Sequence, residues 1–288
     1  MMPAGRMVHP EVFCNTVSMI AVNTKQARRR LVAGLSASVA TLLASSALAQ
    51  QSSSDFSLTA SAGTDYSSGD YGSESNTSVV LVPLIVRAKT GDVSLSGSLT
   101  YIRISGPGDV VIGPDGEPLP GVPNDSGVRK GLSDLSFGLG YTFGSDAAGA
   151  PQFGLSGRVK VPTSRKSAQL GTGKFDYSIR GEVSVPAGRL TPFASIGYRF
   201  LGDPDGIDLK NGITASIGAS TTIGRQVLIA SADYSSSSND STPSSRSLFA
   251  GYSRPLNDTL NITAYSVLGL SESSPDYGIG LLLSARIL

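Results

Sequence analysis

The chain of 288 residues has no tryptophan, one histidine and one cysteine. The histidine (His9) and the cysteine (Cys14) both precede Arg28-Arg29-Arg30. That basic cluster is followed by an apolar stretch from Leu31 to Leu43 and by Ala47-Leu48-Ala49. Basic region, short apolar core and A-x-A site make a secretory signal peptide, with cleavage after Ala49. The apolar stretch is too short and too serine-rich to span a bilayer as a helix. Residues 1–49 are therefore expected to be removed, leaving 50–288 as the mature protein. Residues 1–27 match no targeting class. A start codon placed too early accounts for them, with Met19 as a plausible true start.

Removal of 1–49 leaves no imidazole and no thiol, which excludes disulfides and Cys or His chemistry. Five of the 23 basic residues and one of the 22 acidic ones leave as well, so 18 stand against 21. That slight negative balance is not one for binding nucleic acid. Long apolar runs are also missing: none in the mature chain reaches helix-spanning length. An exported chain without a membrane helix resides in the periplasm, the outer membrane or the medium.

What the chain does have is alternation. In Lys174-Phe175-Asp176-Tyr177-Ser178-Ile179-Arg180-Gly181-Glu182-Val183-Ser184-Val185 the odd positions are apolar or glycine and the even positions are polar. A period of two puts these sets on opposite faces of one strand. Twelve such strands are predicted, near 56–66, 77–88, 93–104, 132–143, 153–161, 174–185, 191–200, 212–222, 227–235, 246–254, 259–269 and 277–287. Nearly every one has an apolar face, and no second element exists to cover those faces. Lipid outside and water inside resolves this.

The connections are mostly short after even-numbered strands and mostly long, rich in Ser, Asp, Pro and Gly, after odd-numbered ones. That parity belongs to outer-membrane barrels, which have short periplasmic turns and long external loops. The predicted fold is all-β: a single antiparallel transmembrane β-barrel of about 12 strands with periplasmic termini, in the outer membrane of a Gram-negative bacterium. Its partners are outer-membrane lipid, the barrel assembly machinery and small-molecule solutes, with no nucleic acid. With tryptophan absent, Tyr and Phe must mark both membrane interfaces.

Assigning the apolar faces to lipid sends Asp134 inward from the fourth strand and Arg158 and Lys160 from the fifth. The sixth contributes Lys174, Asp176, Arg180 and Glu182, the seventh Arg199 and the ninth Asp233. A charged interior selects permeants electrostatically. Equally, these charges can pair with one another and fill the barrel, since twelve strands lie between filled eight-strand barrels and open porins.

Two other motifs are weaker. Gly171-Thr172-Gly173-Lys174 resembles the tail of a phosphate loop, but Ala168 replaces its first glycine and Phe175 its Ser/Thr. The carboxylates of Asp203, Asp205 and Asp208 lack the ligand series and distal Glu of an EF-hand, so they read as an acidic turn. No cofactor or metal is expected. Nor is an enzyme: outer-membrane phospholipases, lipid A deacylases and omptin-type proteases need a catalytic His, and the mature chain has none.

Val159-Lys160-Val161-Pro162-Thr163, the stretch Leu170-Gly171-Thr172-Gly173-Lys174-Phe175-Asp176-Tyr177-Ser178, Thr191–Phe200 and Ser274-Pro275-Asp276-Tyr277-Gly278 together resemble the proteobacterial outer-membrane barrels of the phenol degradation meta-pathway family. The resemblance is best over 153–211 and extends over 56–288. It implies a transporter or channel for small, aromatic compounds. One departure is the C-terminus: such barrels end in an aromatic residue read by the assembly machinery, whereas this chain ends Ile287-Leu288. The expected function is an outer-membrane channel for small solutes, such as aromatic compounds or other anions. The alternative is a non-conducting barrel with a structural or surface-binding role.

Overall fold

The computed structural model describes residues 56–69, 76–106, 110–112, 118–120, 127–145, 147, 149–165, 168, 170–203, 208–238 and 243–288. The signal peptide and residues 204–207 of the acidic turn lie outside them. Fifteen strands follow in order. They are β1 (Ser57–Gly69), β2 (Thr77–Thr90), β3 (Val93–Ser105), β4 (Val110–Ile112), β5 (Pro118–Pro120), β6 (Val128–Leu132), β7 (Leu135–Gly144), β8 (Gln152–Val161), β9 (Asp176–Ser184), β10 (Leu190–Phe200), β11 (Gly212–Ile223), β12 (Gln226–Ser235), β13 (Ser245–Pro255), β14 (Leu260–Gly269) and β15 (Tyr277–Arg286). β4 and β5 pair only with each other.

The other strands close into one wall. Each pairs antiparallel with its neighbour in sequence, and β1 pairs with both β2 and β15. Closure gives every strand of this wall two neighbours except β6, which pairs with β3 alone, and such closure is what a lipid-exposed sheet requires. β6 and β7 are two sections of one wall strand, because both pair with β3. Tyr101 partners Leu132 and Ser98 partners Ser136, so three residues of the β6–β7 strand oppose two of β3. The extra residue is a β-bulge, which re-aims side chains and bends its strand. Ser133 caps it: its N–H donates to the Thr100 carbonyl at 2.8 Å, and its Oγ accepts from Thr100 N–H at 3.0 Å. Counted this way, the wall has the twelve strands that the alternation predicts.

The connections keep the expected parity. One barrel end carries the turns 91–92, 145–151, 185–189, 224–225 and 256–259, and the other the segments 70–76, 106–127, 162–175, 201–211, 236–244 and 270–276. Two short turns are two-residue hairpins led by Gly91 (φ 54°) and Gly224 (φ 63°). The primed turns that match strand twist need a positive φ there, which glycine supplies without steric cost. The start of β1 and the end of β15 both lie at the short-turn end, where Thr59 pairs with Arg286.

The alternation resolves into faces as the period of two demands. Leu84, Leu155, Ile179, Ile196, Ile217 and Ile279 are exposed on the outer wall. Exposed aromatic rings form two belts. Tyr66, Tyr101, Tyr177, Tyr198, Tyr234 and Tyr277 lie near the long-loop end, and Tyr141, Phe143 and Phe153 near the short-turn end. Tyr and Phe thus mark both interfaces without tryptophan.

The interior departs from the expectation of a uniformly charged lumen. Two apolar clusters are buried inside the barrel: Val79, Leu81, Ile102, Ile104 and Leu170, and Phe193, Ile229, Phe249, Tyr265 and Val267. β2 reads Val79-Val80-Leu81-Val82-Pro83-Leu84-Ile85, apolar on both faces. Such a run marks a strand buried on both sides. Lipid covers one side here, and Leu170 of the 162–175 segment packs on the other.

Candidate functional site

Most of the predicted inward charges lie on the inner wall of β8 to β10, while Asp65 of β1, Arg87 of β2, Arg129 of β6 and Asp233 of β12 face inward elsewhere. Lys160, near the long-loop end of β8, is the centre of the first group. Its Nζ lies 3.1 Å from Asp134 Oδ2 and 2.5 Å from Asp176 Oδ2, and it donates to Thr172 Oγ1 at 2.7 Å. Lys160 pairs with Asp176 across the β8–β9 register, so the alternation alone sets them side by side. Asp134 joins them from the bulge between β6 and β7, with the inward parity of Ser136 on β7.

The same carboxylates hold backbone. Asp134 Oδ1 accepts the N–H groups of Thr163 at 3.0 Å and Ser164 at 2.8 Å. Asp176 Oδ1 accepts Gly202 N–H at 2.7 Å. One ion cluster therefore ties both ends of the 162–175 segment and the start of 201–211. Between its tied ends the segment turns into the barrel. Leu170, 1% exposed, packs on Val79, Leu81, Ile102 and Ile104 of β2 and β3, with Ala168 beside it. Glycine permits the approach at two places. A Cβ on Gly171 would collide with the Asp134 carboxylate, and one on Gly131 would stand 3.0 Å from the Leu170 side chain.

The remaining predicted charges also face inward. Arg158 shares a level with Ser178, and Ser178 is in register with Arg199 on its other side. Arg180 Nη1 donates to Ser195 Oγ at 3.3 Å. Glu182 stands in register with Gly154 and Ser195, two residues nearer the short-turn end, and one of its oxygens is buried without a hydrogen-bond partner. Arg199, 1% exposed, donates to Ser235 Oγ at 2.8 Å and to the Ser236 carbonyl at 3.3 Å. Asp233 accepts the hydroxyls of Ser216 at 2.5 Å and Ser231 at 3.0 Å. Lys174 is corrected: the sixth predicted strand begins at Asp176, so Lys174 belongs to the preceding turn and not to the strand. The Thr172 hydroxyl, which hydrogen-bonds Lys160 and Asp176, occupies that turn. It closes the segment, and the phosphate-loop likeness has no part in this.

The second apolar cluster is what the charge-based reading missed. Phe249 and Tyr265 stack with centroids 5.8 Å apart, and the Tyr265 hydroxyl donates to Asp65 Oδ2 at 2.9 Å. Glycines make room for the rings. Phe193 lies over Gly218 and Tyr265 over Gly280, where a Cβ would strike either ring. The signal was in the sequence. Phe249 shares its parity with Ser247 and Ser253, and Tyr265 with Thr263, so each ring had to face inward with its polar neighbours. Strand order puts β8 and β14, fifth and eleventh of twelve, on opposite sides. The charged residues of β8 and β9 therefore lie across the lumen from the Phe249–Tyr265 stack, and the aromatic cluster reaches round to Phe193 on β10.

An all-antiparallel closed wall, apolar outside and polar within, defines a transmembrane β-barrel of the outer-membrane type. The chain belongs to the family described as "Putative MetA-pathway of phenol degradation", which matches residues 44–287. Its fold is similar to that of an outer membrane channel from Pseudomonas putida F1, at 11% identity and a TM-score of 0.63, covering 85% of this chain and 100% of the other. OmpF of Salmonella typhi in complex with daunomycin is 10% identical with a TM-score of 0.37, over 81% and 97% of the two chains. OccK5 of Pseudomonas aeruginosa is 10% identical with a TM-score of 0.40, over 81% and 98%. No curated protein matches the chain by sequence.

Proposed function

We propose that the protein is a passive outer-membrane channel, without catalytic activity, for small solutes that combine an aromatic or apolar part with a negative charge. The long loops face the outside and both termini the periplasm. The observation that carries this reading is the pairing of unlike walls around one lumen. Arg158 and Arg180 stand on one side and the Phe249–Tyr265 stack on the other. Guanidinium groups favour carboxylates and ring faces favour rings, so an aromatic carboxylate meets a partner at each wall. Family membership supports the same direction.

The test is conductance of the purified protein in planar bilayers together with swelling of loaded liposomes. Benzoate should enter faster than a neutral sugar of similar size, and Phe249→Ala should lower its entry relative to chloride. Absence of conductance and swelling would favour a non-conducting structural or surface-binding barrel. The inward-turned Leu170 segment gives that second reading its footing.

A further inference from the structure

The outer wall is almost free of charge, and its few exceptions share one sign. Among the described strand residues, the charged side chains that face outward are Arg103 on β3, Lys130 on β6, and Arg246 and Arg254 on β13. The strand carboxylates Asp65, Asp176, Glu182 and Asp233 have inward parity, and Asp134 at the bulge is buried as well. Arg103 and Lys130 stand directly opposite each other in the β3–β6 register, both exposed. Like charges directly opposite on one sheet face destabilise the pair. Neither forms an ion pair with a described residue. An anion lying against the pair would relieve that repulsion.

Their depth says what that is. Arg103 lies two residues outboard of Tyr101, a member of the long-loop aromatic belt, and Lys130 two residues outboard of exposed Leu132. Aromatic belts mark the boundary between hydrocarbon and headgroups. The two cations therefore sit at headgroup level, with exposed Leu132 and Tyr101 below them to meet acyl chains. Guanidinium and ammonium side by side match a phosphate, the first by paired N–H donors and the second as a point charge.

We propose that Arg103 and Lys130 bind a phosphate of lipid A, the phosphorylated glycolipid of the outer leaflet, on the β3–β6 face. This rests on the orientation proposed above, with the long loops outward.

Native mass spectrometry of the detergent-purified protein with added lipid A tests it. Wild type should retain lipid A, and Arg103→Gln with Lys130→Gln should lower retention roughly tenfold. Arg254→Gln, at the short-turn end, should leave it unchanged. Dephosphorylated lipid A should bind as weakly to wild type as lipid A does to the double variant. Retention of the heat-modifiable folded band on gels shows that the double variant is assembled. The connecting loop contains Asp109, Asp115, Glu117 and Asp125 as competing partners. If these hold the two cations, the double variant will keep lipid A at the wild-type level, which overturns the proposal. Equal binding of phosphatidylglycerol overturns it too. Because the measurement is made in detergent, a failure here leaves the orientation to be judged by whole-cell labelling.

Discussion

Lys160 on β8 reaches Asp134 at 3.1 Å, joining a strand interior to the bulge that splits the neighbouring wall strand. The contact does more than neutralise two charges. Asp134 also holds the Thr163 and Ser164 amides, so the ion pair sets where the 162–175 segment leaves the wall. The bulge resets the parity between β6 and β7, so that Arg129 and Asp134 both face inward.

Lys160→Met should therefore release the segment. Breaking a buried ion pair from one side costs about 3–5 kcal/mol, here against two carboxylates left facing each other. Trypsin should then cut at Arg165 in folded protein, and single-channel conductance should rise. A segment as resistant as wild type would mean that Leu170 packing alone holds it.

Faces are tested by neighbours. Ile179, 48% exposed on the lipid side, should not tolerate arginine: near mid-bilayer the cost in a barrel is about 2–4 kcal/mol. Ser178→Asp should assemble normally, because its register partners are Arg158 and Arg199. Heat-modifiability on gels measures both. Comparable damage from the two would show that β9 is not lipid-facing on its odd positions.

Orientation is open to labelling. Cysteines at Glu272 and Asp208, at the long-loop end, should react with an impermeant maleimide on intact cells. Cysteines at Asp92 and Asp258, in short turns, should react only after the envelope is opened. The reverse pattern would invert the barrel.

Selectivity should follow Arg158 and Arg180. Replacing both with Gln should reduce or reverse anion preference, read as a reversal potential under a salt gradient, with the fold intact. An unchanged ratio would assign the two arginines to packing and send any path elsewhere.

Much of this architecture is legible in the amino-acid sequence. Alternation places the twelve wall strands, and the parity of connection lengths places the two ends. Both are consequences of a period-two backbone that must close in lipid. Even the inward direction of Phe249 and Tyr265 follows from their parity with Ser247 and Thr263. Attention to charge alone passes over it.

Three features are not legible there, and each depends on contacts between distant segments. The bulge at Ser133–Asp134 is one residue of register against β3, which no local pattern announces. The inward turn of the Leu170 segment needs Val79, Leu81, Ile102 and Ile104 on two other strands to receive it. The meeting of the charged residues of β8 and β9 with the Phe249–Tyr265 stack follows from closure, which sets the fifth strand opposite the eleventh. The amino-acid sequence by itself determined which residue faces lipid and which faces the lumen, because that is a property of one strand. What faces what across the lumen was decided by the tertiary structure, because only a closed ring brings opposite strands together.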